Sequence, residues 1–328
     1  MRILYAIQGT GNGHLTRALD IIPELQKYGE LDILVSGCQV DLQLPYPVKY
    51  RLRGLSFIFG KNGGVDFYRT FAQINSRSFY KEVRQLPVSD YDLVISDFEP
   101  VSAWACMLVK KYCVGLSNQV AVLNHNAPKP KQVDPMGKFI LKNYAPTTAQ
   151  YGFHFSRFDD TIFTPIIRKE VRDLQTSCQG HYTVYLPAHS DSKILNKLSL
   201  FKEVEWQVFS KHNRQAFRQG NVSVQPIQNE AFLQSVATAE GVLCAAGFGT
   251  PSEVLYLQKK LLVVPMKNQY EQVCNAAALK HMGVSTIKKL KKKQLPKIEE
   301  WLQQGQPVKV DYPDETAAIV ARIVRENT

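Results

Sequence analysis

Residues 241 to 284 read GVLCAAGFGTPSEVLYLQKKLLVVPMKNQYEQVCNAAALKHMGV and carry the clearest structural signal in the chain. A short apolar run, 242–245, leads into a turn with two glycines, and Pro251 then opens a helix with Glu253 in its first turn. A second apolar run, 261–265, follows this helix, and a polar turn leads from it into another helical stretch. Strand, turn, helix and strand in this order predict a βαβ unit in a mainly parallel sheet.

The same alternation of short apolar runs and helix-like stretches occurs in both halves of the chain. The predicted strands are 3–7, 31–36, 92–96 and 113–117 in the first half and 183–187, 206–210, 222–226, 241–245 and 261–265 in the second. Because 328 residues exceed what one hydrophobic core usually organises, we predict an α/β protein with two Rossmann-like, doubly wound domains. We place an N-terminal domain at 1–157, a linker at 158–180, a C-terminal domain at 181–312 and a closing helix at 313–328.

The charge of the chain is positive but evenly spread. The formal net charge is +11, and both halves are mildly basic, so we expect no nucleic-acid partner. The one dense run, KKLKKK at 288–293, is either a solvated face or a contact for anionic lipid headgroups. No apolar run approaches the roughly 20 residues that span a bilayer, and the first residues lack the pattern of a secretory signal. We therefore expect a cytoplasmic protein.

A glycine-rich turn, GTGNGH at 9–14, lies between the first predicted strand and a helix that we expect to begin at His14. Backbone N–H groups at such a turn bind anions, and Gly11, Asn12 and Gly13 are the candidate contacts. A dinucleotide fingerprint is excluded because His14 replaces its third glycine, and the chain contains no P-loop motif. Histidine suits proton abstraction near neutral pH, so His14 either acts as a general base or only hydrogen-bonds the turn.

Two carboxylates follow the predicted strand 92–96, at the same edge of the sheet as the glycine turn. Asp97 and Glu99 stand in the sequence SDFEP, directly before a helix opened by Pro100. Each can act as a base, orient a histidine or stabilise developing positive charge. Each can instead belong to an ordinary helix start, and this role fits Glu99 in particular.

The sequence offers no convincing metal site. Asp90 and Asp92 match the D-x-D pattern that holds divalent cations, but they precede their strand and so lie at the opposite edge of the sheet. No cluster of histidine and cysteine has zinc spacing either. We predict no metal and no cofactor.

The turn after the strand 242–245 is the second candidate anion site. Gly247, Phe248, Gly249 and Thr250 place glycine amides at a helix N-terminus, where a diphosphate can bind. Glu253 either accepts from a ligand hydroxyl or is simply favoured by the helix dipole. The next polar turn leads to Gln269, Glu271 and Gln272, and its amides can both donate to and accept from sugar hydroxyls.

These two turns together resemble a known family. Residues 9–14 are similar to the N-terminal glycine-rich loop of family 28 glycosyltransferases, and residues 228–283 resemble the donor site of that family and its GT-B relatives. Members include the N-acetylglucosaminyltransferase of peptidoglycan lipid-intermediate synthesis and plastid galactolipid synthases. The resemblance covers nearly the whole chain. It implies two domains that face each other across a cleft, the acceptor on the N-terminal side and the nucleotide sugar on the C-terminal side, with the closing helix packed back toward the N-terminal domain.

The resemblance also implies roles for individual residues. Gly247, Gly249 and Thr250 would face the donor phosphates, Glu253 the ribose hydroxyls, Gln269 and Gln272 the transferred sugar, and the backbone near Gln228 the nucleobase. Ser190, in the loop AHSDS, would be a further phosphate contact, although that loop lacks the glycines often found there. His14 takes the place of the histidine suspected as the family's base.

The predicted reaction is a metal-independent, inverting transfer of a sugar from a nucleotide sugar, a UDP-sugar, to a hydroxyl acceptor, with His14 or Asp97 removing the proton. The acceptor is not identified by the sequence, and a lipid or a cell-envelope glycan fits the family. Two alternatives stay open: a UDP-sugar 2-epimerase-like enzyme of the same fold, and a non-catalytic protein that only binds nucleotide sugars.

A contact with the inner face of an anionic membrane is a further hypothesis. The segment LSFIFGK at 55–61, flanked by Arg51 and Arg53, is either an apolar patch with a basic edge or a buried strand. In the first case the protein is cytoplasmic and peripheral to the membrane.

Overall fold

The computed structural model describes residues 1–10, 12–37, 44–55, 76–132 and 134–328, with the backbone of 59–60 and 64–65. Within these residues the chain forms two seven-stranded sheets and a separate hairpin of β4 (Phe59–Gly60) and β5 (Gly64–Val65). No helix of the described residues is long and apolar enough to cross a membrane.

The first sheet is built from the first half of the chain. Its strands are β1 (Arg2–Gln8), β2 (Glu30–Ser36), β3 (Tyr50–Leu52), β6 (Leu93–Asp97), β7 (Val114–Ser117), β8 (Ala149–Phe153) and β9 (Ile162–Phe163). They lie in the order β3-β2-β1-β6-β7-β8-β9, and every neighbouring pair is parallel. The chain builds one side of the sheet outward from β1 and then returns to the other side at β6. A crevice therefore opens between the carboxyl ends of these two strands.

Helices cover both faces of this sheet. They are α1 (Asn12–Gln26), α2 (Ser76–Gln85), α3 (Pro100–Leu108), α4 (Asn118–Leu123) and α5 (Pro135–Tyr144), with a 3₁₀ turn at Val88–Asp90. Along β1, Ile3, Tyr5 and Ile7 point into the core under α1, whereas Leu4 and Ala6 point into the core under α2 and α3. Burial on both faces explains why β1 is a continuous apolar run and not an alternating one.

The second sheet repeats this plan. Its strands are β10 (His181–Tyr185), β11 (Glu205–Ser210), β12 (Phe217–Gln219), β13 (Val222–Pro226), β14 (Gly241–Ala245), β15 (Lys260–Val264) and β16 (Ser285–Thr286). The order is β12-β13-β11-β10-β14-β15-β16, and the pair β12 and β13 is antiparallel while the others are parallel. The direction of winding reverses between β10 and β14.

The remaining helices belong mostly to the second sheet. They are α6 (Lys169–Arg172), α7 (Asp191–Leu198), α8 (Asn229–Thr238), α9 (Gly249–Tyr256), α10 (Tyr270–His281), α11 (Leu295–Gln304) and α12 (Thr316–Asn327), with a 3₁₀ turn at Lys292–Gln294. The exception is α12, which packs on α1 and buries Ile319 and Ile323 in the core of the first sheet. The predicted α/β fold with two doubly wound sheets is confirmed.

The predicted boundaries between the domains stay a prediction. Strand β9 lies inside the predicted linker, 158–180, and pairs with β8. This part of the predicted linker therefore belongs to the first sheet. The helix after the first glycine turn begins at Asn12 and not at His14, so His14 lies in its first turn.

Candidate active site

The two glycine turns face each other across a cleft of about 1070 Å³. The first turn follows β1 and the second follows β14, so each lies at the carboxyl edge of its sheet where the winding reverses. Open α/β sheets bind ligands at these positions. The predicted site residues that line the cleft are Asn12, Gly13, His14, Gln228, Gly247, Phe248, Gly249, Thr250, Glu253, Gln269 and Gln272.

Three other predicted site residues, Asp97, Glu99 and Ser190, do not line the cleft wall. Gly11 lies outside the described residues. Asp97 and Glu99 are fully buried behind the wall. Ser190 is exposed at the start of α7 and does not line the cleft, and its Oγ lies 3.2 Å from the Oγ of Ser192.

His14 is held by a buried carboxylate. Its Nδ1 lies 2.7 Å from Oδ1 of Asp97, and the side chain of His14 keeps 14% of its surface exposed to the cleft. Arg17, one turn further along α1, donates from Nη2 to both carboxylate oxygens of Asp97 at 2.6 and 2.7 Å. Tyr5 adds a longer hydrogen bond of 3.4 Å to Oδ2. The three side chains come from β1 and α1, and they converge on the end of β6.

The charge state of Asp97 decides the role of His14. Burial raises the pKa of Asp97, but the charges of Arg17 and His14 outweigh burial and hold this pKa below its ordinary value. Asp97 is therefore ionised near neutral pH and only accepts, so Nδ1 of His14 carries the proton. This leaves Nε2 of His14 as the proton acceptor, the arrangement found in Asp-His pairs of hydrolytic triads.

Glu99 has the contacts of a structural residue. Its carboxylate accepts from the backbone N–H groups of Val101 at 2.8 Å and Ser102 at 2.6 Å, and from Ser36 Oγ at 2.6 Å. These bonds cap the N-terminus of α3. Burial raises the pKa of Glu99, and the hydrogen bonds only partly offset this effect.

A hydrogen bond crosses the cleft beside His14. Gln119, on α4 of the first half, donates from Nε2 to Oε2 of Glu271 at 2.9 Å, and Glu271 stands at the start of α10 in the second half. The same Nε2 lies 3.4 Å from Nε2 of His14. Burial raises the pKa of Glu271, and the charges of His14 and Arg17 offset only part of this rise. The amide oxygen Oε1 of Gln119 is buried without a hydrogen-bond partner among the described residues.

Gln119 is not among the residues predicted from the sequence, although the chain contains a signal for it. Gln119 follows β7 by two residues, so it lies at the same carboxyl edge as the first glycine turn and Asp97. Arg17 was missed too, and its signal is the spacing of three residues from His14, which places both side chains on one face of α1.

The second glycine turn leaves room beside a helix N-terminus. A methyl group built on Gly247 or Gly249 would meet no atom within 4 Å. No side chain of the described ranges caps the N-terminus of α9, so its first N–H groups are available to a ligand. Neither glycine is needed for packing within the protein, and both leave open space where an anion can approach the helix dipole.

Glu253 is paired with Arg168, a residue that the motifs of the sequence do not predict. Arg168 donates from Nε to Oε1 of Glu253 at 2.7 Å and from Nη1 to Oδ1 of Asn229 at 3.2 Å. Burial raises the pKa of Glu253, and the positive charge of Arg168 opposes this rise. Arg168 lies just before α6, where the chain enters the second half, so the pair also fixes the start of that half.

The two glutamines of the polar turn differ in their hydrogen bonds. Gln272 accepts from the backbone N–H of Met266 at 3.0 Å. Gln269 precedes α10, and its Oε1 has no hydrogen-bond partner among the described residues. A ligand in the cleft would find Gln269 available for a new hydrogen bond.

The described residues contain no group of three or more His, Cys, Asp or Glu that could hold a metal ion. Asp92 accepts from the backbone N–H of Arg2 at 2.7 Å, and this contact places it at the amino end of β1. The D-x-D pair therefore lies at the edge of the sheet opposite the cleft.

Comparison with known proteins gives one family and many similar structures. The family model described as glycosyl transferase family 1 matches residues 1–304. No curated protein sequence matches the chain. Among solved structures, MurG of Acinetobacter baumannii is 16% identical, with a TM-score of 0.57 and 99% of each chain covered.

Two further structures share the fold over nearly their full length. The spinosyn forosaminyltransferase SpnP is 14% identical, with a TM-score of 0.54, and the match covers 100% of this chain and 95% of SpnP. UGT89C1 of Arabidopsis thaliana, solved in complex with UDP, is 12% identical, with a TM-score of 0.56 and coverage of 99% and 94%. At these identities the likeness concerns the fold.

Proposed function

This chain belongs to glycosyl transferase family 1 and is a glycosyltransferase of the GT-B type, and we propose that it transfers a sugar from a UDP-sugar to a hydroxyl acceptor. The observation that carries the proposal is the position of His14. Its side chain lines the cleft while Asp97 holds its Nδ1, and the open space at Gly247 and Gly249 lies on the opposite wall. A base and an anion site on opposite walls are what a transfer from a nucleotide sugar requires.

In this proposal the second half binds the donor. The N–H groups near Gly247, Gly249 and Thr250 take the diphosphate, Glu253 takes the ribose hydroxyls, Gln269 and Gln272 take the sugar, and the backbone at Gln228 lies against the base. Phe248 lines the same turn and packs on Phe155 at a ring distance of 5.1 Å, so it holds the turn in place. Ser190 is the least supported contact, because it does not line the cleft.

The proposed mechanism is an inverting displacement without a metal. The acceptor hydroxyl attacks the anomeric carbon, its proton passes to Nε2 of His14, and the bond from that carbon to the donor diphosphate breaks. Asp97 stays ionised and stabilises the imidazolium. The negative charge that develops on the leaving diphosphate is stabilised by the N–H groups and the dipole of α9.

We also propose that the acceptor belongs to a lipid or a cell-envelope glycan at the inner face of the membrane, which would make this a peripheral cytoplasmic enzyme. On α5, Ile140 and Leu141 line the cleft, while Met136 and Phe139 are 60% and 65% exposed. Large exposed apolar side chains at the entrance to a cleft favour contact with an apolar surface. The patch that we predicted at 55–61 falls largely on residues 56–58 and 61, which are outside the described residues.

A ligand screen followed by a transfer assay tests the proposed function. A UDP-sugar bound only by the native state should raise the midpoint of thermal unfolding, and the same sugar should then be transferred to an added acceptor. An epimerised nucleotide sugar formed without acceptor would assign the chain to the epimerase-like alternative. Binding without any turnover over a broad set of acceptors would favour the non-catalytic alternative.

A further inference from the structure

A second concave surface lies outside the cleft, beside the edge strand β16, and encloses about 950 Å³. Its lining includes six lysines, which define what we call the lysine groove: Lys280, Lys288, Lys289, Lys291, Lys293 and Lys297. No lining residue is shared with the cleft. We propose that the lysine groove binds a ligand that carries several phosphate groups.

The local sequence forces these lysines to the surface. In the run after β16, Ile287 and Leu290 are buried at 1% and 0% exposure in the core beneath the second sheet. The lysines between and after them, from 288 to 293, therefore point outward. Lys280 joins them from the last turn of α10, and Lys297 joins them from the first turn of α11. Three separate elements thus contribute charge to one concavity.

The positive charge of the groove is not balanced by the protein. All six lysines are exposed, and none has an acidic partner within 4 Å among the described residues. Among the described residues of the lining, Glu300 alone is acidic. The neighbouring strand β15 shows the contrast, because Lys260 there forms an ion pair of 2.7 Å with Glu240. Like charges that line one concavity repel each other, and an anion between them would relieve the repulsion.

The positive charge of the lysine groove also affects a lysine on the neighbouring helix α7. The pKa of Lys193, in the first turn of α7, is lowered by partial burial and then by the charges of Lys291, Lys197 and Lys289. Lys193 and Lys197 therefore extend the positive region beyond the groove. A ligand with one negative charge would neutralise only a small part of this region, which favours a ligand with several phosphates.

A competing explanation is that the lysines only prevent β16 from pairing with another chain, as lysines on edge strands do. However, β16 itself is Ser285–Thr286 and contains no lysine. The lysines come from the loop and helices around it and surround a volume large enough for a ligand. Protection of the strand edge does not require that arrangement.

The test compares two variants of the full-length chain that lose the same charge. The groove variant is Lys289→Gln, Lys291→Gln and Lys297→Gln, and the control variant is Lys81→Gln, Lys110→Gln and Lys131→Gln, three exposed lysines elsewhere. Tripolyphosphate is the soluble probe, measured by calorimetry with UDP in excess so that the cleft is occupied. Vesicles of phosphatidylglycerol, with phosphatidylcholine as reference, are the lipid probe, measured by co-sedimentation. Thermal unfolding confirms that both variants are folded.

We expect the groove variant to lose at least about tenfold in affinity for one probe while the control variant binds like the wild type. Binding should also weaken with salt, since the Debye length falls from about 10 Å at 0.1 M to about 3 Å at 1 M.

Loss of tripolyphosphate binding identifies a soluble source of phosphate, and loss of vesicle binding alone identifies lipid headgroups. Failure of both probes, or an equal loss in both variants, would overturn the proposal. Aggregation of the groove variant with unchanged binding would overturn it too and would support protection of β16. None of these outcomes depends on sugar transfer in the cleft.

Discussion

Replacing Asp97 with asparagine tests two roles in one variant: the orientation of His14 as the proton acceptor, and the buried ion pair with Arg17. In the native protein this carboxylate contacts His14 Nδ1 at 2.7 Å and accepts from Arg17 at 2.6 and 2.7 Å, and it is fully buried. Asparagine is nearly isosteric with aspartate. The change therefore removes the charge of Asp97 and its preference for accepting hydrogen bonds, and it leaves the volume of the side chain almost unchanged.

The expected effect on turnover follows from the loss of orientation. An amide at position 97 can donate to Nδ1 of His14 and so favours the tautomer in which Nε2 carries the proton. That tautomer cannot accept a proton from the acceptor hydroxyl at Nε2. We expect kcat for Asp97→Asn to fall about 10²–10⁴-fold, the contribution of a positioned general base, with the KM for the donor nearly unchanged.

The expected effect on stability follows from Arg17, which is 8% exposed and loses the carboxylate with which it forms an ion pair. Removing one partner of a buried ion pair costs about 3–5 kcal/mol. Arg17 and His14 keep the pKa of Asp97 below its ordinary value despite burial, so this stabilisation is present above about pH 3.9 and is lost as the pH falls through the lower pKa of the folded state. The difference in unfolding free energy between wild type and variant should therefore shrink as the pH falls below about 4.

The measurements are steady-state release of UDP and urea unfolding, and Glu99→Gln is the matched control. Glu99 is also a fully buried carboxylate, only two residues away, but it caps α3 and does not contact His14. Its replacement should leave kcat at the wild-type level. Wild-type turnover in a folded Asp97→Asn protein would refute the role given to His14. An equal loss of turnover in Glu99→Gln would show that any disturbance of this core abolishes activity.

Three other substitutions test donor binding, the space beside the second glycine turn, and the pH dependence of stability. Glu253→Ala should weaken UDP binding by about tenfold, measured by calorimetry, because a charged hydrogen-bond acceptor is lost, and unchanged affinity would remove Glu253 from the site. Gly247→Ala places a methyl group in open space, so we expect an unchanged melting temperature and a higher donor KM; a drop in melting temperature would contradict the open geometry. Burial raises the pKa of Asp20 to about 6, so its stabilising effect is present below about pH 4 and lost as the pH rises through 6. Asp20→Asn should therefore increase the unfolding free energy above pH 6 and leave it unchanged at pH 4, and a gain of equal size at both pH values would contradict the assignment.

Much of the fold was predictable because parallel sheets leave a local signature. The buried strands read as continuous apolar runs, and the turns that follow β1 and β14 show their glycines and helix starts directly. Since the carboxyl ends of parallel strands share one edge, the pattern also placed His14 and Asp97 at the same crevice. The sequence pattern could not predict the distance of 2.7 Å between Nδ1 of His14 and Oδ1 of Asp97.

Contacts between distant parts of the chain could not be predicted in this way. The hydrogen bond from Gln119 to Glu271 joins residues 152 positions apart, and it depends on how the two sheets face each other. Nothing in either local sequence specifies that orientation. The pairing of Arg168 with Glu253 has the same origin, since these two residues lie 85 positions apart in the chain. Ser190 illustrates the reverse case, in which a motif position is recognisable but the side chain does not line the cleft.

The packing of α12 on α1 has a consequence for how the protein is made. Ile319, Val320, Ile323 and Val324 belong to the same core as Ile3 and Leu15, although more than 300 positions separate Ile3 from Ile319. While the ribosome is still translating the second half, the first sheet is exposed where α12 will later cover it, and α1, which carries His14, lacks one of its supports. The first sheet is thus synthesised before one of the helices that complete its core, and during that interval its apolar surface is open to chaperones and to aggregation.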